Sequence, residues 1–309
     1  MDRPEDAYSF LGKRERALER LGATRDRYGT SARAFGFLTK LARHPSGLLG
    51  VALILLFVGT AVLAPVLAPY PPLEMHADHV LQLPTRAFPL GTDNYGRDLL
   101  SRVLYGARIS LKEALFVVLM AAGIGVSVGS VAGYAGGAVD QAAMRLADVF
   151  LSFPALLLAM AIVSVMGPGL DNAIVAVGFA WWPAYARLVR SSVLSVKEEV
   201  YVDAARSIGA GPLRIMGLHV LPNCMAPLLV KCTLDSGMAV LTLATLSFLG
   251  LGSPPYVPEW GAMVAQARLY FLDSPWSASV PGLAVLLTVL GAALLGDALR
   301  DILDPTLRY

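Results

Sequence analysis

The sequence predicts an all-α membrane protein with six transmembrane helices and with both termini in the cytoplasm. Three observations lead there: the composition, the number of long apolar stretches and the uneven distribution of basic residues. Of the 309 residues, 56% are hydrophobic and 16% are charged, and the mean hydropathy is +0.60. These values lie well beyond the balance of soluble domains. We therefore expect a multi-pass protein of the cell (inner) membrane.

A helix needs about 20 largely apolar residues to cross the hydrocarbon. The apolar stretches are too long, and alternate too little, for a transmembrane β-barrel. The fourth stretch contains Trp181-Trp182-Pro183 and ends near Arg187 and Arg190, which predicts a kinked helix with a cationic end. The six stretches cover residues 47–69, 112–134, 142–166, 172–190, 225–250 and 281–300.

The basic residues predict the orientation, because cytoplasmic loops hold the excess of Lys and Arg. With the N-terminus inside, the cytoplasm receives the basic N-terminal tail and the basic stretch 187–214. The outside then keeps mainly Arg86, Arg97, Arg102, Arg108 and Arg268.

Residues 1–46 carry mixed charge and no apolar run, so we expect a cytoplasmic tail and not a cleaved signal peptide. Residues 13–21 are compatible with a short amphipathic helix on an anionic membrane surface, or with a solvated charged segment. The remaining predicted parts are a first transmembrane helix at 47–69, an external loop at 70–111, a five-helix core at 112–303 with a cytoplasmic loop at about 195–223, and a cytoplasmic C-terminus at 304–309.

One polar insert, residues 199–223, separates the fourth and fifth apolar stretches. It contains the small residues Ala204 and Ala205, the acidic Asp203, and the helix breakers Gly209 and Gly211-Pro212. This pattern suits a short helix that docks on a partner, and nothing in it can carry chemistry alone.

Catalytic patterns are lacking in the sequence. Residues 91–98 imitate the start of a phosphate-binding loop, but Arg97 and Asp98 stand where Lys and Ser or Thr are needed. We find no nucleophile or zinc-protease motif. The chain is therefore not expected to be an enzyme, to hydrolyse ATP itself or to bind a cofactor or nucleic acid.

Metal and disulfide chemistry are also weakly supported. His76 and His79, with Glu74 nearby, have metal-ligand spacing, but ordinary loop side chains are the favoured interpretation. His44 is predicted to be a lone surface residue. Cys224 and Cys232 lie eight residues apart on one predicted helix, too far for a disulfide, and are expected to pack.

Ionisable residues inside membrane stretches either form local pairs or mark a proton or ion path. Local pairing is favoured for Arg145 with Asp148 and for Lys231 with Asp235, with Asp235 the best candidate for an exception. The acidic and basic residues at 297–304 receive the same interpretation. Small residues at four-residue intervals in 123–133 predict close helix packing, which is also compatible with a helix that moves during transport.

The polar insert resembles the E-A-A-x3-G-x9-I-x-L-P loop of permease subunits of binding-protein-dependent ABC importers. Asp203-Ala204-Ala205, Gly209 and Leu221-Pro222 match that spacing, with Asp203 in place of Glu and His219 in place of Ile. The stretch 219–223 is similar to the variant of the dipeptide, oligopeptide and nickel subgroup. Three further blocks resemble the C-type permease subunit of that subgroup: 89–102 with 106–111, 246–252 with 258–261, and 275–276 with 281–282 and 299–305.

The resemblance implies a type I ABC importer permease fold. It implies a second permease subunit, two ATPase subunits that bind ATP and Mg, an external solute-binding protein, and membrane lipid as partners. The solute would be a short peptide, with nickel complexes or another small solute as the alternative. An ion-coupled secondary transporter and a membrane enzyme are more distant alternatives. The residues that would couple to an ATPase are Tyr201, Asp203, Ala204, Ala205, Arg206, Ile208, Gly209, Ile215, His219, Leu221 and Pro222.

Overall fold

The computed structural model describes residues 39–41 and 44–303. The predicted amphipathic helix at 13–21 and the C-terminal residues 304–309 lie outside the described residues. The described part of the chain is built from helices, in agreement with the predicted all-α class. The helices are α1 (Pro45–Leu67), α2 (Leu99–Ala135), α3 (Gly137–Leu151), α4 (Ala155–Met166), α5 (Leu170–Val196), α6 (Val200–Ser207), α7 (Pro212–Ile215), α8 (Met225–Phe248), α9 (Trp260–Ala267) and α10 (Pro275–Leu303).

Four helical stretches of the described chain are long and apolar enough to cross a membrane: α1, α2, α10 and the continuous run Pro212–Phe248 that ends with α8. The predicted span 142–166 is not one helix. It is divided into α3 and α4, which meet at 87° and would make a fifth span if counted together. Pro154 stands at the break, where its ring and its missing N–H prevent a continuous helix.

Helix α2 begins much earlier than the apolar stretch predicts, because its first turns are polar. Asp98 forms the N-cap: its carboxylate accepts hydrogen bonds from the Ser101 backbone N at 2.7 Å and from Ser101 Oγ at 2.6 Å. Such a cap satisfies a backbone donor that the helix itself cannot. Residues 99–111, assigned to a loop from hydropathy, are therefore helical.

Helices α2 and α5 form the centre of the bundle. Their contact explains the small residues at four-residue intervals in 123–133. A Cβ atom at Gly125 would lie 2.3 Å from Tyr185 Cβ, and one at Gly129 would lie 2.4 Å from the carbonyl oxygen of Ala186. The predicted close packing is thus confirmed for these two glycines. A Cβ atom at Gly123 would meet no heavy atom within 4 Å, so Gly123 takes no part in this contact.

Helix α10 packs against both α1 and α8, and glycines again permit the approach at Gly50 and Gly237. At the start of α1, His44 Nε2 lies 3.3 Å from Asp301 Oδ2 at the end of α10. His44 is therefore half-buried and paired, and the prediction of a lone surface residue was wrong. We call the end of the bundle that holds this pair, α3 and the polar insert the insert end; α9 lies at the opposite end.

The segment 68–98 that joins α1 to α2 is folded around a buried ion cluster. Asp93 Oδ2 lies 2.7 Å from Arg97 Nε and 3.5 Å from Arg102 Nε, and both arginines are buried. Gly96 has φ +73°, and its backbone lies so close to His76 that no Cβ could be accommodated. The residues that imitate a phosphate loop thus have a structural role at the opposite end of the bundle.

Two predicted pairings in the membrane stretches have different outcomes. Lys231 Nζ lies 2.9 Å from Asp235 Oδ2, as predicted. Asp148 pairs with Arg187 of α5 instead of with Arg145. A second pair joins Arg190 of α5 to Asp140 of α3. Both pairs are between helices, because α3 turns back along α5, which the sequence spacing alone could not reveal.

Candidate coupling surface on the polar insert

Helix α6 occupies the start of the polar insert and has signals for both of its ends. Asp203 lies in its first turn and Arg206 in its last turn, so each charge interacts favourably with the helix dipole and stabilises the helix. Gly209 follows with φ +83°, a conformation that favours glycine. The Ala210 N–H then donates to the Ala205 carbonyl oxygen at 3.1 Å, which closes the helix end.

One face of α6 packs against the bundle. Val202 and Ala205 are buried together with Ile215 and Val220 of the insert and with Val189 of α5. Ala205 is only 6% exposed. Its small side chain therefore permits contact with its own bundle, and it is not available to a partner.

The other face of α6 has no covering element in the described structure. Ala204 and the ion pair between Asp203 and Arg206, at 2.9 Å, are exposed there. Ile208 is 85% exposed and Leu213 is 90% exposed. We call these five residues the exposed insert face.

Leu213 and the exposed Val200 were missed when candidate residues were chosen from the motif. For Val200, the helical period of α6 predicts the exposure. Val202 and Ala205 are three residues apart and face the bundle, so an apolar residue on the opposite side of the same helix must face away.

Tyr201 is partly exposed beside this face. Partial burial, together with the nearby Glu199 carboxylate, raises the pKa of the Tyr201 phenol above its ordinary value. The phenol therefore remains a neutral hydrogen-bond donor at physiological pH.

From Pro212 onward the insert continues into α8 as one uninterrupted helical run. One turn of α-helix (α7) leads into a π-helical turn at Met216–Val220 and a 3-10 turn at Leu221–Cys224. Pro222 has no N–H, which accounts for the irregular hydrogen bonding here. Asn223 Nδ2 donates to the His219 carbonyl oxygen at 2.7 Å and stabilises the turn.

The predicted coupling residues thus divide by environment. Ile215 is buried, and His219 and Leu221 are half-buried within the insert. Gly209 and Pro222 are exposed, and they influence the backbone conformation.

At the other side of the insert, Lys197 Nζ donates to the Gly133 carbonyl oxygen at 3.1 Å, which joins the ends of α5 and α2. A displacement of the exposed insert face would therefore be transmitted to α2, α5 and α8.

In the part of the chain that the structure describes, no group of three or more His, Cys, Asp or Glu side chains is arranged to hold a metal ion. Cys224 is buried and Cys232 is half-buried, and both are free thiols. The exposed insert face presents methyl groups and one ion pair, and the Tyr201 phenol lies beside it. Such a surface can bind another protein.

Comparison with known proteins identifies related chains. Residues 36–84 match the family model described as the N-terminal TM domain of oligopeptide transport permease C. Among solved structures, the chain resembles one from the MetNI methionine ABC transporter in inward-facing conformations, with a TM-score of 0.53 and 22% identity over 66% of this chain and 96% of that chain. This likeness supports the fold.

Similar sequences extend over most of the chain. The di/tripeptide transport system permease protein DppC of Pseudomonas aeruginosa is 46% identical over 88% of this chain and 92% of its own length. The dipeptide transport system permease protein DppC of Haemophilus influenzae is 41% identical over 90% and 96%. The glutathione transport system permease protein GsiD of Pectobacterium atrosepticum is 44% identical over 82% and 85%.

The family model for binding-protein-dependent transport system inner membrane components matches residues 125–309, which include α3 to α10 and the whole polar insert. The match covers more than half of the chain. The chain therefore belongs to the family of inner membrane permease components of binding-protein-dependent transport systems.

Proposed function

We propose that this chain is one permease subunit of an ATP-driven importer for short peptides, and that the exposed insert face docks on a cytoplasmic ATPase subunit. The assembly would contain a second permease subunit, two ATPase subunits and an external solute-binding protein. ATP and Mg would be bound by the ATPase subunits.

The observation that carries the proposal is the two-sided packing of α6. Its inner face is buried at Val202 and Ala205, whereas Ile208 and Leu213 expose almost their full side chains. A helix fixed to the bundle on one side and open on the other suits mechanical coupling to a partner. Rigid-body motion of the ATPases would move α6 and, through the helical run from Pro212, would shift α8.

The proposed orientation places the insert end in the cytoplasm. The pair between His44 and Asp301 supports the placement of both termini on that same side, because it joins the start of α1 to the end of α10 at the insert end. Six crossings would follow if the bent pair of α3 and α4 and the more polar α5 each cross once. The excess of Lys and Arg at the insert end agrees with this orientation.

Peptide transport is proposed because the relatives described above are named as transport permeases for dipeptides, di/tripeptides or glutathione. The nickel alternative is not favoured, because the relatives named above are named for peptides or glutathione. Solute selection itself is assigned to the external binding protein.

The test is uptake of a radiolabelled dipeptide by cells that lack the native chain and receive variants of it. Ile208→Glu and Leu213→Glu should abolish uptake and co-purification of the ATPase subunits, since each places a charge on the exposed insert face. Leu272→Glu is the matched control, because Leu272 is 95% exposed at the opposite end of the bundle. Dipeptide uptake that continued without the ATPase subunits would disprove the proposal.

A further inference from the structure

Glu113 is the most unusual ionisable residue of the bundle. It lies in α2 and is 3% exposed, and neither of its carboxyl oxygens has a hydrogen-bond partner in the described structure. An isolated carboxylate in such an environment costs far more free energy than a neutral acid. Something must therefore compensate its charge or remove it.

The adjacent cation, Lys112, compensates the charge of Glu113 only weakly. Lys112 is exposed, and its Nζ lies 5.8 Å from the centre of the Phe116 ring. Arg108 is also exposed on α2. In the described residues, no salt bridge includes Glu113, and Arg102, about three turns earlier on α2, is paired with Asp93.

The neighbouring helices add acids instead of cations. Helices α1, α4 and α9 contain no charged residue. Glu259, before α9, and Asp171, at the start of α5, are the acidic neighbours of Glu113. The other charged groups on helices packed around α2 belong to the insert half of the bundle: Asp140, Arg145, Asp148, Arg187, Arg190, Lys231, Asp235, Asp297, Arg300 and Asp301.

The Glu259 carboxyl is buried, but backbone N–H groups donate hydrogen bonds to it. Its two carboxyl oxygens accept hydrogen bonds from the backbone N of Gly261 at 2.7 Å and of Ala262 at 2.8 Å, which cap α9. Burial raises the pKa of the Glu259 carboxyl, and these two donors oppose that shift. Of the two neighbouring acids, Glu259 therefore has the environment of a carboxylate and Glu113 that of a neutral acid.

This acid pair lies where α9 docks on α2. Ser110 lies one turn before Glu113 on the same helix, and its hydroxyl accepts a hydrogen bond from the Trp260 backbone N at 3.3 Å. Trp260 Nε1 donates to the Val103 carbonyl oxygen at 3.1 Å, and the indole ring is fully buried. A second negative charge at this contact would be unfavourable for docking.

We propose that Glu113 and Glu259 form a buried proton-binding site that holds one proton, carried by Glu113, while α9 is docked on α2. The proton removes the charge of Glu113 and lets the two acids coexist in a dry interface. Loss of that proton to water requires α9 to separate from α2, so the protonation state of the pair reports the docking of α9. The site is independent of the exposed insert face.

Infrared spectroscopy of the detergent-solubilised full complex provides the direct test. The carbonyl absorption of a buried protonated carboxylic acid should be present in the wild type and absent in Glu113→Gln. Glu74→Gln is the matched control, because Glu74 is exposed, and its spectrum should retain the band. A band that persists in Glu113→Gln would overturn the proposal.

Failure of Glu113→Gln to assemble would contradict the proton site as well, because glutamine replaces a neutral group with a neutral group of the same shape.

Discussion

At the scale of single residues, adjacent positions on α6 have opposite roles. Ala204 is exposed, whereas Ala205 is packed against the bundle. The motif presents both as equivalent small residues. Their different environments follow from the helical period, because consecutive residues are separated by about 100° around the axis.

Ala204→Glu and Ala205→Glu should therefore fail in different ways. Ala204→Glu should leave the thermal unfolding midpoint unchanged and reduce ATPase co-purification, since it alters only the exposed insert face. Ala205→Glu should lower stability by at least about 2 kcal/mol, because it buries a charge without a partner. Comparable unfolding midpoints for the two variants would show that the assignment of faces is wrong.

The glycines of α2 provide a second matched pair. Gly129→Ala should destabilise the protein by about 1–3 kcal/mol, because the new methyl group meets the backbone of α5. Gly123→Ala should be neutral or stabilising by up to about 1 kcal/mol, because it enters open space and improves helix propensity. Denaturant unfolding in detergent measures both, and equal effects would refute the packing of α2 on α5.

At the scale of elements, the segment 68–98 illustrates how a polar connection becomes rigid next to a membrane. Asp93 accepts two hydrogen bonds at its Oδ1, from the backbone N of Tyr95 and of Arg97. Its Oδ2 faces the two arginines. Arg97 NH2 also donates to Gln266 of α9 at 2.9 Å, which connects the segment to that helix.

Asp93→Asn should release this segment. The change leaves two buried guanidinium groups without their acid, for which a cost of about 3–5 kcal/mol is typical. Limited proteolysis should then cut within residues 70–98, and the unfolding midpoint should fall. Asp78→Asn is the control, because Asp78 lies in the same segment, is exposed and forms no ion pair within the described residues. Equal protease resistance of the two variants would show that the ion cluster at Asp93 does not hold the segment in place.

At the scale of the whole molecule, the two ends of the bundle differ in construction. The insert end contains the exposed insert face. It also contains the ion pairs that join α3 to α5. The opposite end holds α9, the segment 68–98 and an open cavity of about 920 Å³, which is lined by the end of α8, the residues that join α8 to α9, and α9 itself. This asymmetry suits a protein with different partners on the two sides of the membrane.

Thiol labelling in intact cells tests the orientation. With Cys224 and Cys232 replaced by Ala, a membrane-impermeant reagent should label Leu272→Cys directly. It should label Leu213→Cys only after permeabilisation, because Leu213 belongs to the insert end. Both side chains are at least 90% exposed, so access to the thiol does not limit labelling. The reverse pattern would invert the proposed topology.

Much of the fold could be predicted because membranes impose strong composition rules. The apolar length of α1, α8 and α10 and the small residues of α2 are visible in the sequence, since each reflects a local requirement. The start of α2 was missed because Asp98 caps a polar helical turn that hydropathy assigns to a loop. The break between α3 and α4 was missed because both halves are apolar enough to be read as one stretch.

The sequence alone determined the membrane class, the spacing of the polar insert and the membership of a permease family, because these depend on residue types along the chain. Only the tertiary structure decided which face of α6 is open, which acid pairs with which arginine, and that Glu113 is enclosed without an ion-pair partner among the described residues. Burial and ion pairing depend on residues distant in sequence, such as Arg190 with Asp140. No local pattern contains that information, because the free energy of each contact is set by the neighbours that folding supplies.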